Sequence, residues 1–158
     1  MLHCGSILRS PPDRDFTCVD FCGNQIVVGS SLGTIFIVEL HADGSTENPR
    51  QIRPPAENKG LQSPVTSIQT SPCLRYVAAG TAAGSVVVLS VVRNQIELLY
   101  NHEEHAGSPV LSLAWRADSQ RLYSGASNGQ VIELDTSSSS TPAAVSFLSK
   151  VFSKDTRS

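Results

Sequence analysis

The sequence predicts an all-β fold, and three observations support this. Short apolar runs recur along the chain, turn residues separate them, and the whole pattern appears three times. The clearest copy runs from Val110 to Thr136 and holds three apolar runs with two polar turns. Its second turn is Asn128-Gly129, a pair that favours a type I′ hairpin because that turn needs positive φ at both central residues. The stretch is therefore predicted to be a three-stranded antiparallel meander.

Two earlier stretches show the same pattern, in residues 16–40 and residues 65–91. A fourth strand is expected after the second of them, at Gln95–Tyr100, where apolar residues alternate with polar ones. Residues 41–63 are polar and contain three prolines, so they are predicted to form a long surface loop. Because proline confines a strand to a sheet edge, that loop is expected to hold at most a short edge strand, at Arg50–Arg53.

The chain changes character after the third copy. Residues 137–158 begin with a run of serines and are predicted to be a linker or tail. One more strand is expected inside it, at residues 144–148. The strands of residues 1–136 are accordingly predicted to form the folded domain.

The three copies share a Gly-x-x-x-Gly element whose first glycines are Gly29, Gly80 and Gly125. They are 51 and 45 residues apart, close to the period of about 40–45 residues of a four-stranded propeller blade. The predicted structural turn residues are Gly29, Gly33, Gly80, Gly84, Gly125, Asn128 and Gly129. Matched apolar positions surround them: Val19, Ile68 and Leu113, predicted to point inward, then Ile35, Val86 and Val131, and then Val38, Leu89 and Leu134.

A small sheet of this kind cannot bury both of its faces, so the copies are expected to stack around a common axis as a β-propeller. A strand flanked on both sides reads as continuously apolar, as Val86 to Leu89 does. Propellers generally close with 4–8 blades. Three copies therefore predict that missing blades come from the rest of a longer chain or from a partner. The end blades are then expected to expose apolar flanks suited to docking.

At these positions the sequence resembles the WD40-repeat family, most clearly in the third copy. His105 stands near the place of that family's Gly-His pair, and Trp115 to Ser119 resembles its aromatic-Ser-Pro-Asp-Gly turn. Ser124 to Gly129 resembles its Ser-Gly-Ser-x-Asp-Gly segment, and Leu134-Asp135 stands where Trp-Asp closes the unit. The resemblance implies a partial WD40-like propeller of about three blades.

The family's polar network of His, Ser or Thr, Asp and Trp survives here only in part. The resemblance implies that its remaining members are His105, Ser124 and Asn128, because aliphatic residues replace the Trp in all three copies.

A narrower resemblance concerns residues 76–91 and the third copy. They look like the N-terminal propeller of large vesicle-trafficking proteins of the Hermansky–Pudlak-syndrome-subunit and tectonin-propeller types. That resemblance implies a role in the trafficking of vesicles or lysosome-related organelles. It also implies a cytoplasmic location, peripheral to endosomal or lysosomal membranes.

Composition disfavours several other classes of function. A net charge of −2, with 12 basic residues scattered among 14 acidic ones, disfavours a nucleic-acid surface. No apolar run reaches the length of a membrane span.

Two groups of residues have spacings that metal sites use: Cys18-x-x-x-Cys22 with Cys4, and His102-x-x-His105. Neither has a second ligand pair, so strand cysteines and a polar connection are expected, with no metal, cofactor or catalytic residue.

The leading hypothesis is therefore a non-catalytic protein–protein interaction scaffold that binds protein subunits, with the loop of residues 41–63 on its binding face. One alternative is a propeller-based enzyme with a site in the central channel. It would need polar groups at equivalent strand starts, where this chain has Phe16, Val65 and Val110. Another alternative is a WD40 adaptor in a ubiquitin ligase, chromatin or RNA-processing complex.

Overall fold

The computed structural model describes residues 8–10, 12, 15–52, 63–92, 95–137 and 148–152. In these residues the chain is all-β, and no helix long and apolar enough to cross a membrane occurs in them. Cys4, most of the serine run and residues 53–62 lie outside the described residues.

Twelve strands form three antiparallel sheets in the described part of the chain, each a meander of four consecutive strands. We call these sheets blades 1, 2 and 3. Blade 1 contains β1 (Phe16–Cys22), β2 (Gln25–Ser30), β3 (Ile35–Glu39) and β4 (Arg50–Ile52). Blade 2 contains β5 (Val65–Thr70), β6 (Tyr76–Thr81), β7 (Val86–Val92) and β8 (Gln95–His102). Blade 3 contains β9 (Val110–Trp115), β10 (Arg121–Ala126), β11 (Val131–Asp135) and β12 (Leu148–Phe152).

The predicted all-β arc of three blades is confirmed, with differences at the outer strands. The edge strand expected near Arg50 is present as β4, and the strand after Gln95 extends to His102. The last strand lies at Leu148–Phe152, later than the predicted 144–148, of which 144–147 fall outside the described residues. Because β12 pairs with β11, this part of the predicted tail belongs to blade 3.

The predicted type I′ turn at Asn128-Gly129 is wrong. Of the two residues only Gly129 has positive φ, at 81°, whereas a type I′ turn requires it at both. The Gly129 amide donates to the Ala126 carbonyl, and the Ala126 amide donates to the Gln130 carbonyl. The loop is therefore a longer hairpin connection that ends in a left-handed glycine, and Gly33 and Gly84 have the same conformation in blades 1 and 2.

The apolar core lies between blades because each strand points alternate side chains at its two neighbours. One cluster joins blades 1 and 2: Val27, Ile35, Ile37, Val65, Ile68, Val77, Ala79, Val87 and Leu89. A second joins blades 2 and 3: Ala78, Val86, Val88, Val110, Leu113, Leu122 and Leu134. Val86 to Leu89 are fully buried, as predicted for a strand covered on both faces.

The first strand of every blade contains a bulge near its start. Each bulge leaves one residue without a register partner, namely Thr17, Thr66 and Leu111. A bulge bends the strand and re-aims the neighbouring side chains. Val65 and Val110, which directly precede two of these bulges, are fully buried.

Val19 does not point inward as predicted. It is 66% exposed, whereas its equivalents Ile68 and Leu113 are 9% and 8% exposed. Ile68 and Leu113 each pack in the cluster shared with the preceding blade. No sheet formed by the described residues lies against this position of β1.

The stability of the fold should depend on the cluster between blades 1 and 2. We expect Leu89→Ala to lower the free energy of unfolding by about 2–5 kcal/mol, because Leu89 is fully buried. Leu111→Ala removes the same atoms from an exposed side chain and should cost less than about 0.5 kcal/mol. Urea unfolding followed by Trp115 fluorescence measures both. Equal losses would contradict a core located between the blades.

Candidate interaction surfaces

Two glycines, each in the second strand of its blade, leave a space that a valine of the following blade fills. We call such a space a socket. A Cβ atom on Gly29 would lie 2.6 Å from Val65 Cγ1, and one on Gly80 would lie 2.4 Å from Val110 Cγ1. Only glycine allows so close an approach between neighbouring sheets. The predicted role of Gly29, Gly80 and Gly125 as turn residues is therefore wrong, because they lie within β2, β6 and β10.

Hydrogen bonds accompany both sockets five residues after the inserted valine. The Thr70 amide donates to Asp20 Oδ2 at 2.5 Å, and Trp115 Nε1 donates to the Gln69 carbonyl at 3.1 Å. The Trp115 ring also stacks on Tyr76, with 6.0 Å between ring centroids. Each interface between blades thus has a valine inserted over a glycine at one end and a hydrogen bond at the other end.

The socket at Gly125 has no inserted side chain among the described residues. A Cβ there would meet only Ser112 Oγ of its own blade, at 2.8 Å. Ser112 corresponds to Cys18 and Ser67, which lie equally close to the other two glycines. Gly125 is thus built like Gly29 and Gly80, but no side chain from another blade lies over it in the described part of the chain.

Of the three predicted polar-network residues, the structure brings two together. His105 and Ser124 are fully buried, with His105 Nε2 2.8 Å from Ser124 Oγ. Asn128 does not join them: it is exposed, and its side chain bonds to Gln130 within its own turn. His105 Nδ1 is buried without a hydrogen-bond partner in the described part of the chain. Burial lowers the pKa of this imidazole.

The two metal-like spacings are not assembled in the described residues. No group of three His, Cys, Asp or Glu residues lies close enough there to hold an ion. His102 is exposed beside Tyr100, whereas His105 is buried. Cys18 lies at the interface of blades 1 and 2, 3.9 Å from the Val65 carbonyl oxygen, and burial raises the pKa of its thiol.

A charged network that was not predicted from the sequence lies on the face of blade 3 that points away from blade 2. Arg121 bonds to Glu133 at 2.5 Å and to Asp135 at 3.2 Å, and the Tyr123 hydroxyl donates to Glu133 at 2.8 Å. Hydrogen bonds from Ser137 lower the pKa of the Asp135 carboxyl. The signal was present in the sequence, since these residues alternate along β10 and β11. This end of the arc is therefore charged where an apolar flank was predicted, except at Val131, which is 42% exposed.

The other end of the arc, on blade 1, is apolar. Val19 and Phe21 point to the same side of β1 and are 66% and 57% exposed. Their equivalents in blade 3 are Leu113 and Trp115, which pack against blade 2. We call Val19 and Phe21 the front patch. Neighbouring side chains on the same face are buried: Val28, Phe36 and Val38.

The sockets predict opposite outcomes for two similar substitutions. Gly80→Val should lower the free energy of unfolding by at least about 2 kcal/mol, because the new side chain overlaps Val110 in a packed interface. Gly125→Val meets only the end of one serine side chain, so we expect a loss below about 1 kcal/mol. Thermal unfolding of the purified 158-residue chain tests both. Similar losses would show that Gly80 does not serve as a socket.

Burial of His105 predicts a pH-dependent stability. Its pKa is lower in the folded chain than in the unfolded chain, where it is about 6.5, so the unfolded state takes up the proton more readily. The stability is therefore present above about pH 6.5 and is lost as the pH falls below that value. Urea midpoints measured from pH 7.5 to pH 5 should fall less in His105→Gln than in the exposed control His102→Gln. Parallel pH profiles would refute this role of His105.

A sequence comparison and the fold identify the relatives of this chain. Residues 96–132 match the family model "WD domain, G-beta repeat", which here runs from β8 to the start of β11. The human tectonin beta-propeller repeat-containing protein 2 is 28% identical over 122 residues. The match covers 73% of this chain but only 8% of that protein.

Solved structures share the fold at low identity. A chain of the mitotic checkpoint complex superposes with a TM-score of 0.69 at 19% identity, covering 92% of this chain and 41% of that one. The RRP9 WD40 repeats give a TM-score of 0.69 at 20% identity, with 92% and 40% covered. A putative 6-phosphogluconolactonase from Bacteroides uniformis gives 0.67 at 14% identity, with 89% and 43% covered.

The 158-residue chain thus spans less than half of each of these propeller chains. At this level of identity the likeness establishes the fold alone, and one of the similar structures is that of a putative enzyme. Residues 96–132 thus match a WD repeat model, and the three sheets fold as three blades of a WD40-like β-propeller.

Proposed function

We propose that this chain is a non-catalytic protein-interaction module whose docking surface includes the front patch, Val19 and Phe21. WD40 propellers generally act as scaffolds for protein partners. The observation that carries the proposal is the exposure of both side chains at positions that blades 2 and 3 bury against a preceding sheet. Covering two large apolar side chains stabilises a complex by about 1.5–3 kcal/mol for each one fully buried.

The chemistry of the front patch indicates the kind of partner. It is apolar and small, and Val28, Phe36 and Val38 on the same sheet face are buried, so it suits one apolar strand or loop of a protein subunit. Nucleic acid fits it poorly, because phosphate contacts require clustered Lys and Arg. Neither a metal nor a cofactor has a part in this proposal.

A more specific role belongs to the same proposal: membership of a large vesicle-trafficking protein or its assembly. Its support is the resemblance of residues 76–91 and the third copy to such proteins, together with 28% identity to a human tectonin beta-propeller repeat-containing protein. The chain would then act on the cytoplasmic side, peripheral to endosomal or lysosomal membranes. Further blades would come from the rest of a longer chain or from a partner.

An enzyme with a central-channel site is the competing proposal, and the strand starts disfavour it. Such a site needs polar side chains that converge from the beginnings of the first strands. Val65 and Val110 occupy two of these positions and are inserted into the Gly29 and Gly80 sockets. They are therefore unavailable for contact with a substrate.

Replacing the front patch tests the proposal. We expect Val19→Ser with Phe21→Ser to reduce captured partners about tenfold, since the apolar contact is lost. The measurement is affinity purification from cells followed by quantitative mass spectrometry. Leu32→Ser, at an exposed position in the β2–β3 turn, is the matched control.

An unchanged set of partners in the double variant, with unchanged circular dichroism, would refute the docking role of the front patch. The identity of the lost partners separates the specific roles. Membrane-trafficking subunits would support the trafficking role, whereas ubiquitin-ligase, chromatin or RNA-processing subunits would replace it with another adaptor role.

A further inference from the structure

The outer edge of blade 2 is formed by β8, and it differs from the outer edges of the other two blades. β8 has eight residues, whereas β4 has three and β12 has five. No strand of the described residues pairs with the outer edge of β8. Such an edge presents unpaired N–H and C=O groups to which an extended segment of another protein can hydrogen-bond.

The edge of β8 lacks the features that usually prevent such pairing. Proteins commonly protect exposed edge strands with lysine, other charged residues, proline or a bulge. β4 contains Arg50 and β12 contains Lys150, but β8 contains no Lys, Arg or Pro. The register of β8 with β7 is interrupted once, by a bulge at Leu99. The segment Gln95–Leu98 pairs regularly with β7, so its outer edge is open to a further strand.

A cavity of about 540 Å³ lies beside this open segment. It is lined by Ser90, Val92, Gln95, Ile96 and Glu97. Four of these share one face of the β7–β8 hairpin, in the register pairs Ser90↔Glu97 and Val92↔Gln95. The Ile96 side chain belongs to the other face, where it packs against the cluster of blades 1 and 2. The cavity therefore reaches the backbone of β8 itself.

The cavity combines an aliphatic wall with one charged group. Val92 is 41% exposed and supplies the wall. Glu97 is exposed, and its carboxylate makes no hydrogen bond or ion pair within the described part of the chain. Ser90 lies opposite Glu97 in the ladder. These groups suit a lysine or arginine, whose methylene stem packs on apolar atoms and whose charged end bonds to oxygen.

We propose that Gln95–Leu98 of β8 binds an extended segment of a separate protein partner by strand addition, and that a basic side chain of that segment enters the cavity beside Glu97. Backbone hydrogen bonds along the edge supply the affinity, and the cavity selects the basic residue. This inference rests on the proposed function as a protein-interaction module. It uses an edge of blade 2, which is separate from the front patch on blade 1.

A second copy of this chain is a poorer occupant. Antiparallel pairing of two Gln95–Leu98 segments would place two Glu97 carboxylates near each other at the shared edge, where like charges are destabilising. Neither copy would offer a basic side chain to the cavity of the other, because β8 contains no Lys or Arg. The occupant is therefore a basic segment of a different protein.

Peptide binding to the purified 158-residue chain tests the proposal. The probes are fluorescein-labelled peptides of about seven residues, in which valine and threonine alternate around a central lysine or glutamate. Fluorescence anisotropy should show that the lysine peptide binds at least about tenfold more tightly, because Glu97 attracts one central side chain and repels the other. The bound lysine peptide should also slow amide hydrogen exchange within Gln95–Leu98.

Two changes separate the cavity from the strand edge. Glu97→Lys should weaken binding of the lysine peptide about tenfold, because it replaces the attracting carboxylate with a charge that protects edge strands. Glu103→Lys is the matched control, since it makes the same change of charge just after β8 and outside the cavity lining. Its effect should be less than about twofold. A lysine peptide with N-methylated amides should not bind, because it cannot donate backbone hydrogen bonds to the edge.

The proposal is overturned if the lysine peptide does not bind saturably, if the lysine and glutamate peptides bind equally, if Glu97→Lys and Glu103→Lys have the same effect, or if N-methylation leaves binding unchanged. The two proposals fail separately. Selective peptide binding, in a chain whose front-patch variant loses no cellular partner, supports this inference and refutes the front patch alone. Loss of cellular partners by that variant, without any binding of the lysine peptide, refutes this inference alone.

Discussion

The insertion of a valine from one blade into a glycine of the blade before it is the contact on which this fold depends. The bulge at the start of each first strand aims the valine, and the missing side chain of Gly29 or Gly80 makes room for it. The inserted side chain brings the two sheets close enough for the apolar residues behind it to pack without gaps. Burial of Val86 to Leu89 on both faces is a consequence of that close approach.

Much of the fold could be predicted from the sequence because turn residues and apolar periodicity mark each copy of the repeat. The register of Gly29, Gly80 and Gly125 placed the three copies, and Gln95 to Tyr100 indicated a fourth strand. The position of β12 could not be predicted well, because its pairing with β11 is a contact with a distant strand and not a local signal. The type I′ turn failed for a different reason: the Asn-Gly pair also suits a longer loop that needs only one left-handed residue.

The surfaces were harder to predict than the strands. Periodicity assigns residues to a face, but whether that face is covered depends on which blade lies beside it. Val19 follows the pattern of Ile68 and Leu113, yet it is exposed because no described blade precedes β1. The network around Glu133 was not predicted, because a charged residue in a strand is ordinarily assumed to face water. His105 and Ser124 were found from their resemblance to a known network, whereas Asn128 was assigned to it wrongly.

The difference between the two end faces gives the arc a direction. The front patch on blade 1 is apolar, whereas the face of blade 3 that points away from blade 2 holds Gly125 and Val131 beside a negatively charged network. Two copies that met through their blade 3 faces would bring like charges together, and no valine would enter either socket. The two ends of the arc therefore differ in chemistry, so a partner surface matched to the apolar front patch is not matched to the charged face of blade 3.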